Sequence, residues 1–146
     1  MSTQAKIKKL DPDAVIPTYG SEFSAGADLY ACEKAPVTIE PHKTVLVHTG
    51  LSFEIPEGYA GLIYARSGLA SKKGLAPANK VGVIDADYRG EVMVSLHNHT
   101  DVPRTVEPFE RVAQMVITPF LKAAFIESDE LSDTVRGAGG FGSTGK

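Results

Sequence analysis

The segment 82–92, GVIDADYRGEV, concentrates the residue types that could do chemistry. Two carboxylates, a tyrosine and an arginine interrupt an apolar, strand-like run there, and strand-like alternation then resumes. A turn between two strands that carries polar side chains without a function explains part of this pattern, because aspartate tolerates turn geometry. That alternative does not explain Asp85, which directly follows Val83 and Ile84, where the pattern predicts burial. A half-buried carboxylate beside a ring and a cation is a candidate general base, so we predict that Asp85 is catalytic.

A second candidate begins at Arg66 and includes Ser67 and Gly68. The spacing predicts a short helix over 67–74, with Ser67 as its N-cap, cations in the last turn and Gly74 just after it. Free N–H groups at a helix start, a hydroxyl and a guanidinium together suit a phosphate. The alternative is that Ser67 caps the helix and Arg66 is a surface cation. The local sequence leaves both interpretations open.

Three further polar features admit two explanations each. Gln114 lies inside an apolar run, where it either satisfies backbone groups or points into a site. Asp28 lies among small residues that would let a ligand approach, although a turn followed by a strand gives the same pattern. His97 and His99 form an H-x-H pair that could bind metal, but no third ligand has a recognisable spacing, which favours a solvated strand end.

Composition limits the function classes. The chain has 146 residues, 42% of them hydrophobic and 23% charged, as expected for one globular domain. Its formal net charge of -3 argues against a nucleic-acid binder that relies on a basic face. The single cysteine, Cys32, excludes an internal disulfide and suits a small buried residue in a reducing compartment. No apolar run approaches a membrane span of about 20 residues, and the N-terminus lacks a signal-like apolar core. We therefore expect a cytoplasmic protein with no membrane or nucleic-acid partner.

The elements that must position these side chains are strands. Short alternating or β-branched runs recur between turn formers at a spacing typical of an all-β sandwich or barrel. The predicted strands are 37–39, 44–49, 51–55, 59–64, 81–84, 92–96, 105–106 and 112–118. The tail, 136–146, differs because it is glycine-rich, and we expect it to be disordered when free. A tail that served only to keep the protein soluble would gain nothing from an exposed ring at Phe141. The ring therefore suggests a binding role.

Five segments resemble, in order and at compatible spacing, the five motifs of the trimeric dUTPase family. They are 25–31, 65–70, 82–91, 110–114 and 136–145. The resemblance implies an all-β, jelly-roll-like distorted β-barrel with one short helix and a flexible Gly-rich C-terminal arm. It implies a barrel domain over 1–135, a lid over 136–146, and a homotrimer whose sites form between subunits. One departure is Phe109, which stands where the family usually has a small residue before the acidic–Arg pair of the fourth motif.

The resemblance also implies an activity. Members of the family hydrolyse dUTP to dUMP and pyrophosphate by in-line attack of water at the α-phosphorus, which limits uracil in DNA and supplies dUMP for dTMP synthesis. Asp85 then matches the residue that activates the water, Asn79 and Gly82 match the uracil pocket, and Tyr88 matches the ring that packs on the deoxyribose. The expected cofactor is Mg²⁺ chelated by the triphosphate, with Asp28 contacting the metal through water.

The remaining matches concern the triphosphate and the lid. Arg66, Ser67 and Gly68 match phosphate contacts, and Gln114 matches a residue near the α-phosphate. From the lid, Arg136 would meet the γ-phosphate and Phe141 would stack on uracil. The further lid contacts are Gly142, Ser143 and Thr144. Two alternatives remain, a dCTP deaminase-like relative and a nucleotide-binding or regulatory protein that does no chemistry.

Overall fold

The structure, a computed structural model, describes residues 3–141 and is built from antiparallel strands. The strands are β1 Lys6–Lys9, β2 Thr18–Tyr19, β3 Ala27–Tyr30, β4 Val37–Ile39, β5 Thr44–His48, β6 Leu51–Glu54, β7 Tyr59–Tyr64, β8 Leu75–Pro77, β9 Gly82–Ile84, β10 Met93–Asn98, β11 Arg104–Val106 and β12 Arg111–Pro119. The all-β prediction is confirmed, and the fold is of the jelly-roll type.

Two sheets carry most of the chain. The larger has five strands in the order β2-β3-β12-β7-β9, and the smaller has three in the order β5-β10-β8. Two strand pairs, β1-β6 and β11-β4, accompany them. Alternation along the strands puts one face inward: in β10 every second residue, beginning with Val94, is buried. The resulting core includes Leu29, Val47 and Leu96, which are fully buried.

The predicted strands agree with the structure where burial alternates. Val37–Ile39 and Tyr59–Tyr64 have the predicted bounds, and β10 continues two residues beyond the predicted end at 96. Strand β1 was absent from the prediction, because its sequence KIKK is polar and Ile7 alone packs against the core. The strand forms because it pairs with β6, a long-range contact that its own sequence does not indicate.

The helical segment spans residues 67–73, close to the predicted bounds, but it begins differently. Its π-helical turn is Leu69–Lys73, Ser67 lies inside the helical segment, and no side-chain hydrogen bond caps the turn at Gly68. The predicted capping role of Ser67 is therefore wrong. The predicted end is right: Gly74 adopts φ +66°, and its N–H bonds the carbonyls of Leu69 and Ala70. Among residues 3–141, no helix is long and apolar enough to cross a membrane.

Asn98, at the end of β10, is a buried polar junction. Its Nδ2 donates to the carbonyl oxygens of Ile39, at 2.9 Å, and Val102, at 2.8 Å. Its Oδ1 accepts from the backbone N–H and the hydroxyl of Thr100. The side chain is completely buried. Because one amide satisfies four groups, one on β4 and three in the turn after β10, its loss leaves several of them without a partner.

Asn98→Ala should therefore destabilise the protein strongly. Each buried group left unpaired costs about 1–3 kcal/mol, so the free energy of unfolding should fall by about 2 kcal/mol or more. Urea denaturation at a fixed protein concentration measures this change. Thr105→Ala, on an exposed position of β11, is the control and should change stability by less than about 0.5 kcal/mol. Equal effects of the two substitutions would contradict the junction.

Candidate active site

Strand β12 positions the first group of candidate residues. It lies between β3 and β7, and its register sets Gln114 opposite Asp28 on one side and Tyr64 on the other. The chain leaves β7 at Tyr64 and continues directly to Arg66. Residues from the first, second and fourth sequence motifs therefore meet at one end of the five-stranded sheet.

Asp28 is held between two arginines. Its Oδ1 accepts from Arg66 Nε at 2.7 Å, and its Oδ2 lies 3.3 Å from Arg111 NH1. The aspartate is 8% exposed, so it needs such charged partners to remain inside the fold. Its contact with Nε orients the Arg66 guanidinium and leaves the two terminal nitrogens without a described protein partner. Asp28 thus directs the Arg66 guanidinium towards the adjacent cavity.

The Gln114 side chain is held by a hydrogen bond to the backbone and fits in the space left by the absence of a side chain at Gly26. Its Nε2 donates to the carbonyl of Ala65 at 2.9 Å, which orients the amide. A Cβ placed on Gly26 would overlap the amide, lying 3.0 Å from the Gln114 Cδ. A side chain at position 26 would therefore force the Gln114 amide to move. Of the two explanations that the sequence left open, both hold in part, because the amide satisfies a backbone group and also borders a cavity.

These residues line an open cavity of about 600 Å³. Arg66, Arg111, the exposed Ser67 and the Gln114 amide supply its polar groups, together with Asp28. The remaining lining residues are Gly20, Ser24, Ala25, Gly26, Tyr64, Gly68 and Val116. The cavity is suited to a phosphate group, because it combines two cations, a hydroxyl and an amide with small lining residues that leave room for a ligand.

The second group lies on the turn between β9 and β10. Asp85 begins this turn, and its carbonyl accepts from Tyr88 N–H at 3.2 Å. Asp85 is exposed in the single chain, so the expectation of a half-buried carboxylate is wrong. Strand β9 is an edge strand, and Val83 is 60% exposed. An apolar run on an edge strand does not guarantee burial, which explains the error.

Two adjoining cavities border this turn. One, of about 310 Å³, is lined by Asp85, Tyr88 and Asn79 among others. The other, of about 80 Å³, is lined by Asn79 and Gly82. A Cβ on Gly82 would lie 3.2 Å from the Asn79 Nδ2, which is a tight contact. The turn therefore combines a free carboxylate, a ring and a small recess.

The two groups of predicted residues line separate cavities. The structure brings Asp28, Arg66, Ser67, Gly68 and Gln114 together, and separately it brings together Asn79, Gly82, Asp85 and Tyr88. The described part of the arm joins neither group: Phe141 is fully exposed, and Arg136 bonds the carbonyl of Gly139. The predicted contacts at Gly142, Ser143 and Thr144 lie outside the described residues.

Several positioning residues were missing from the prediction. Arg111, which contacts Asp28 of the first motif, had no assigned role, although its place in the fourth motif could have indicated one. Arg89 donates from NH1 to the carbonyls of Ala86, at 2.6 Å, and Tyr88, at 3.1 Å, and so closes the turn. Ser52 donates to the Arg89 carbonyl from another strand. The Ser52 contact joins residues 37 positions apart, and a contact of that range leaves no signal in the local sequence.

Two residues that the sequence singled out have structural surroundings. Cys32 packs against the core, and burial, followed by the charge of Asp11, raises the pKa of its thiol, which disfavours a thiolate nucleophile. His97 bonds the Thr44 hydroxyl and contacts the His99 ring edge to face. Within residues 3–141, no three potential metal-ligating side chains are grouped as a metal site.

The family model for dUTPase matches residues 12–145. The chain belongs to the dUTPase family. The deoxyuridine 5'-triphosphate nucleotidohydrolase of Nautilia profundicola is 52% identical over 141 residues, covering 97% of this chain and 98% of that protein. The protein of the same name from Hydrogenobaculum sp. is 50% identical, covering 95% and 96%.

A solved dUTPase has the same fold. It is the Staphylococcus bacteriophage 80alpha dUTPase with dUPNHPP, which is 29% identical to this chain. The two superpose with a TM-score of 0.90, covering 99% of this chain and 100% of the phage chain. The dUTPase fold is therefore common to this chain and a dUTPase bound to a dUTP analogue.

Gly26→Ala should displace the Gln114 amide. The added Cβ overlaps it, so the bond to Ala65 should be lost and the melting temperature should fall by several degrees, as for an overpacked core of about 1–3 kcal/mol. Calorimetry and a crystal structure of the variant test this. Gly20→Ala is the control, because its nearest neighbour is the Ser24 Oγ, at 3.8 Å. A Gln114 amide in its original position would contradict the close-approach argument.

Proposed function

We propose that this dUTPase-family protein hydrolyses dUTP to dUMP and pyrophosphate, limiting uracil in DNA and supplying dUMP for dTMP synthesis. The observation that carries the proposal is the pairing of two features in a dUTPase fold. One is a cavity with oriented cations and an amide, and the other is an exposed carboxylate beside a tyrosine on a fixed turn. The names of the relatives support the same substrate.

The site is assembled between subunits of a homotrimer. The phosphate-binding cavity and the β9–β10 turn are separate in one chain, so the turn of one subunit meets the cavity of another. Large apolar side chains after β12 support assembly, because Leu121 and Phe125 are almost completely exposed. The other exposed apolar residues there are Phe120, Ile126, Leu131 and Val135. A second copy of the chain would cover this surface.

Strand β9 and its recess would read the base and the sugar. Because β9 is an edge strand, its outer N–H and C=O groups can pair with the edge of uracil near Gly82 and Asn79. Cytosine would leave these groups unmatched, which gives strong discrimination. The Tyr88 ring would pack on the deoxyribose and leave no room for a ribose 2′-hydroxyl. Close walls at the base would exclude the thymine methyl group.

Asp85 would act as the base. Its carboxylate accepts a proton from a water whose oxygen forms a bond to the α-phosphorus, while the bond from phosphorus to the bridging oxygen breaks and pyrophosphate leaves. Arg66, held by Asp28, and the Ser67 and Gly68 region would bind the phosphate oxygens. Gln114 would orient the α-phosphate and the water. These groups are fixed before substrate arrives, which favours the charge distribution of the transition state.

The donor set fits Mg²⁺ that arrives with the triphosphate. The described residues contain no group of three or more ligating side chains, whereas Mg²⁺ commonly keeps waters and binds through substrate phosphates. Asp28 uses two hydrogen-bonding positions for arginines, and a carboxylate has about four, so it can still accept from a metal-bound water. When bound, the ion would offset charge on the leaving pyrophosphate.

The tail would act as a lid. Residues 136–146 follow the barrel domain, 1–135, and Phe141 has no cover in the single chain. Ordering over the nucleotide would stack Phe141 on uracil, bring Arg136 to the γ-phosphate, and add contacts from Gly142, Ser143 and Thr144. Closure would exclude bulk water from the reacting phosphate.

A lone cysteine with no disulfide supports a cytoplasmic enzyme.

Asp85→Asn should abolish turnover while dUTP still binds, because the water loses its base and the pocket keeps its shape. The loss should be about 10²–10⁴-fold in kcat. Pyrophosphate release and a binding titration with dUTP measure the two properties separately. Asp87→Asn is the matched control on the same turn and should retain activity. If the wild-type protein binds dUTP without releasing pyrophosphate, it is a binding protein and the proposed activity is wrong.

Deleting residues 137–146 should leave a folded protein whose turnover falls about hundredfold, because the reacting groups are no longer enclosed. Circular dichroism and the pyrophosphate assay measure both effects. The chain contains no tryptophan, so Phe141→Trp supplies a single reporter. Its fluorescence should be quenched by dUPNHPP if residue 141 stacks on the base. Full activity of the truncated protein, or no change in fluorescence, would contradict the lid.

A further inference from the structure

Glu91, at the end of the β9–β10 turn, bridges that turn to the turn between β5 and β6. Its Oε1 accepts from the backbone N–H of Gly50 at 2.9 Å. Its Oε2 lies 3.0 Å from His48 Nδ1. The Glu91 side chain is 24% exposed, so it is partly shielded from solvent. One carboxylate therefore joins two segments that are about 40 residues apart in sequence.

The bridge connects through short bonds to the reactive residues. The Tyr88 hydroxyl donates to the Glu91 carbonyl at 2.9 Å. Tyr88 N–H in turn donates to the carbonyl of Asp85. A Cβ on Gly90 would clash with the Tyr88 ring, lying 2.6 Å from its Cζ, so the ring is folded tightly against the end of the turn. Displacement of Glu91 would therefore move Tyr88 and then Asp85.

Gly50 offers a rigid point of attachment. It is buried and has φ +66°, and a Cβ there would lie 2.9 Å from both Ala14 Cβ and Cys32 Sγ. Its amide cannot shift far to follow a moving partner, because the packing around it is tight. The neighbouring Ser52 hydroxyl donates to the Arg89 carbonyl at 2.6 Å and holds the same turn one strand further along. The turn is thus held from one side by fixed donors.

We propose that Glu91 is a positioning residue for the reaction: through Gly50 and His48 it holds the turn that presents Asp85 and Tyr88. The proposal rests on the proposed function for its kinetic consequence, and on the hydrogen bonds above for its structural one. Both oxygens of Glu91 bind protein groups that hold the turn, and its side chain also borders the cavity beside Asp85 and Tyr88.

His48 makes the bridge sensitive to pH. The hydrogen bond to Glu91 raises the pKa of His48, and the nearby charge of Glu33 adds to this, while burial opposes it. Glu33 also accepts from the His48 backbone N–H, so Glu91 and Glu33 are the charged groups that face the ring. Because the folded-state pKa is raised, the added hold is complete below the ordinary pKa of about 6.5 while Glu91 is ionised. It is lost as the pH rises through the raised pKa.

Four variants and two readouts test the proposal. Glu91→Ala should lower kcat for dUTP about tenfold or more and accelerate hydrogen exchange at the Gly50 amide by a similar factor. Glu91→Gln keeps an oxygen for Gly50 and should restore most of both. His48→Gln should be up to about fivefold less active than wild type near pH 6, as expected for a partly exposed pair, and equal to it near pH 9. Double substitution of His48 and Glu91 should match Glu91→Ala.

The chain offers a matched control at the opposite end of β10. His42 Nε2 and Asp101 Oδ1 form a second histidine–carboxylate pair, at 2.8 Å and far from the turn. His42→Gln and Asp101→Ala should leave kcat, its pH profile and Gly50 exchange unchanged. The proposal is overturned if Glu91→Ala retains the kcat of an active wild-type protein. It is also overturned if Glu91→Gln is as impaired as Glu91→Ala.

The two readouts separate this proposal from the proposed function. If wild-type protein does not hydrolyse dUTP, the activity is wrong, and exchange at the Gly50 amide alone decides whether Glu91 holds the turn. If wild-type protein is active and Glu91→Ala retains full kcat, the positioning role is wrong and the activity stands.

Discussion

The register of β12 between β3 and β7 is the constraint on which the rest of the site depends. Side chains alternate across a strand, so a slip by one residue would turn Gln114 away from the cavity and Met115 out of the core. The same register sets Asp28 beside Gln114 and starts the path from Tyr64 to Arg66. The buried residues on the other face of β12 hold this alignment. Core packing and site geometry are therefore one property of a single strand.

The ion pairs of Asp28 then determine how the charged side chains of the site are oriented. Asp28 is nearly buried, and a carboxylate there is tolerated because two guanidinium groups neutralise it. The pairing also orients Arg66, whose side chain would otherwise be free to adopt many rotamers. A cation oriented before the substrate arrives loses less conformational entropy when it binds a phosphate. The buried Asp28 thus contributes mainly by orienting the partly exposed Arg66 guanidinium.

The turn after β9 follows a different design. Asp85 is exposed and free, whereas the segment that carries it is held by Arg89, Ser52 and Glu91. A reactive carboxylate needs an open side for water and substrate, so the constraint is placed on the backbone around it. The separation of this turn from the phosphate-binding cavity is consistent with a site that more than one chain completes.

Much of this protein could be predicted from its sequence, because alternation, turn formers and motif spacing are local properties. The all-β fold, the Gly74 helix end and the dUTPase relationship belong to that part. Tertiary structure decided the rest: β1 forms although its sequence is polar, Ser67 does not cap the helix, and Asp85 is exposed. These outcomes depend on which strand lies at an edge and which partner lies opposite. Arg111 and Glu91 gain their roles from residues 83 and about 40 positions away, distances at which a single sequence shows no pattern.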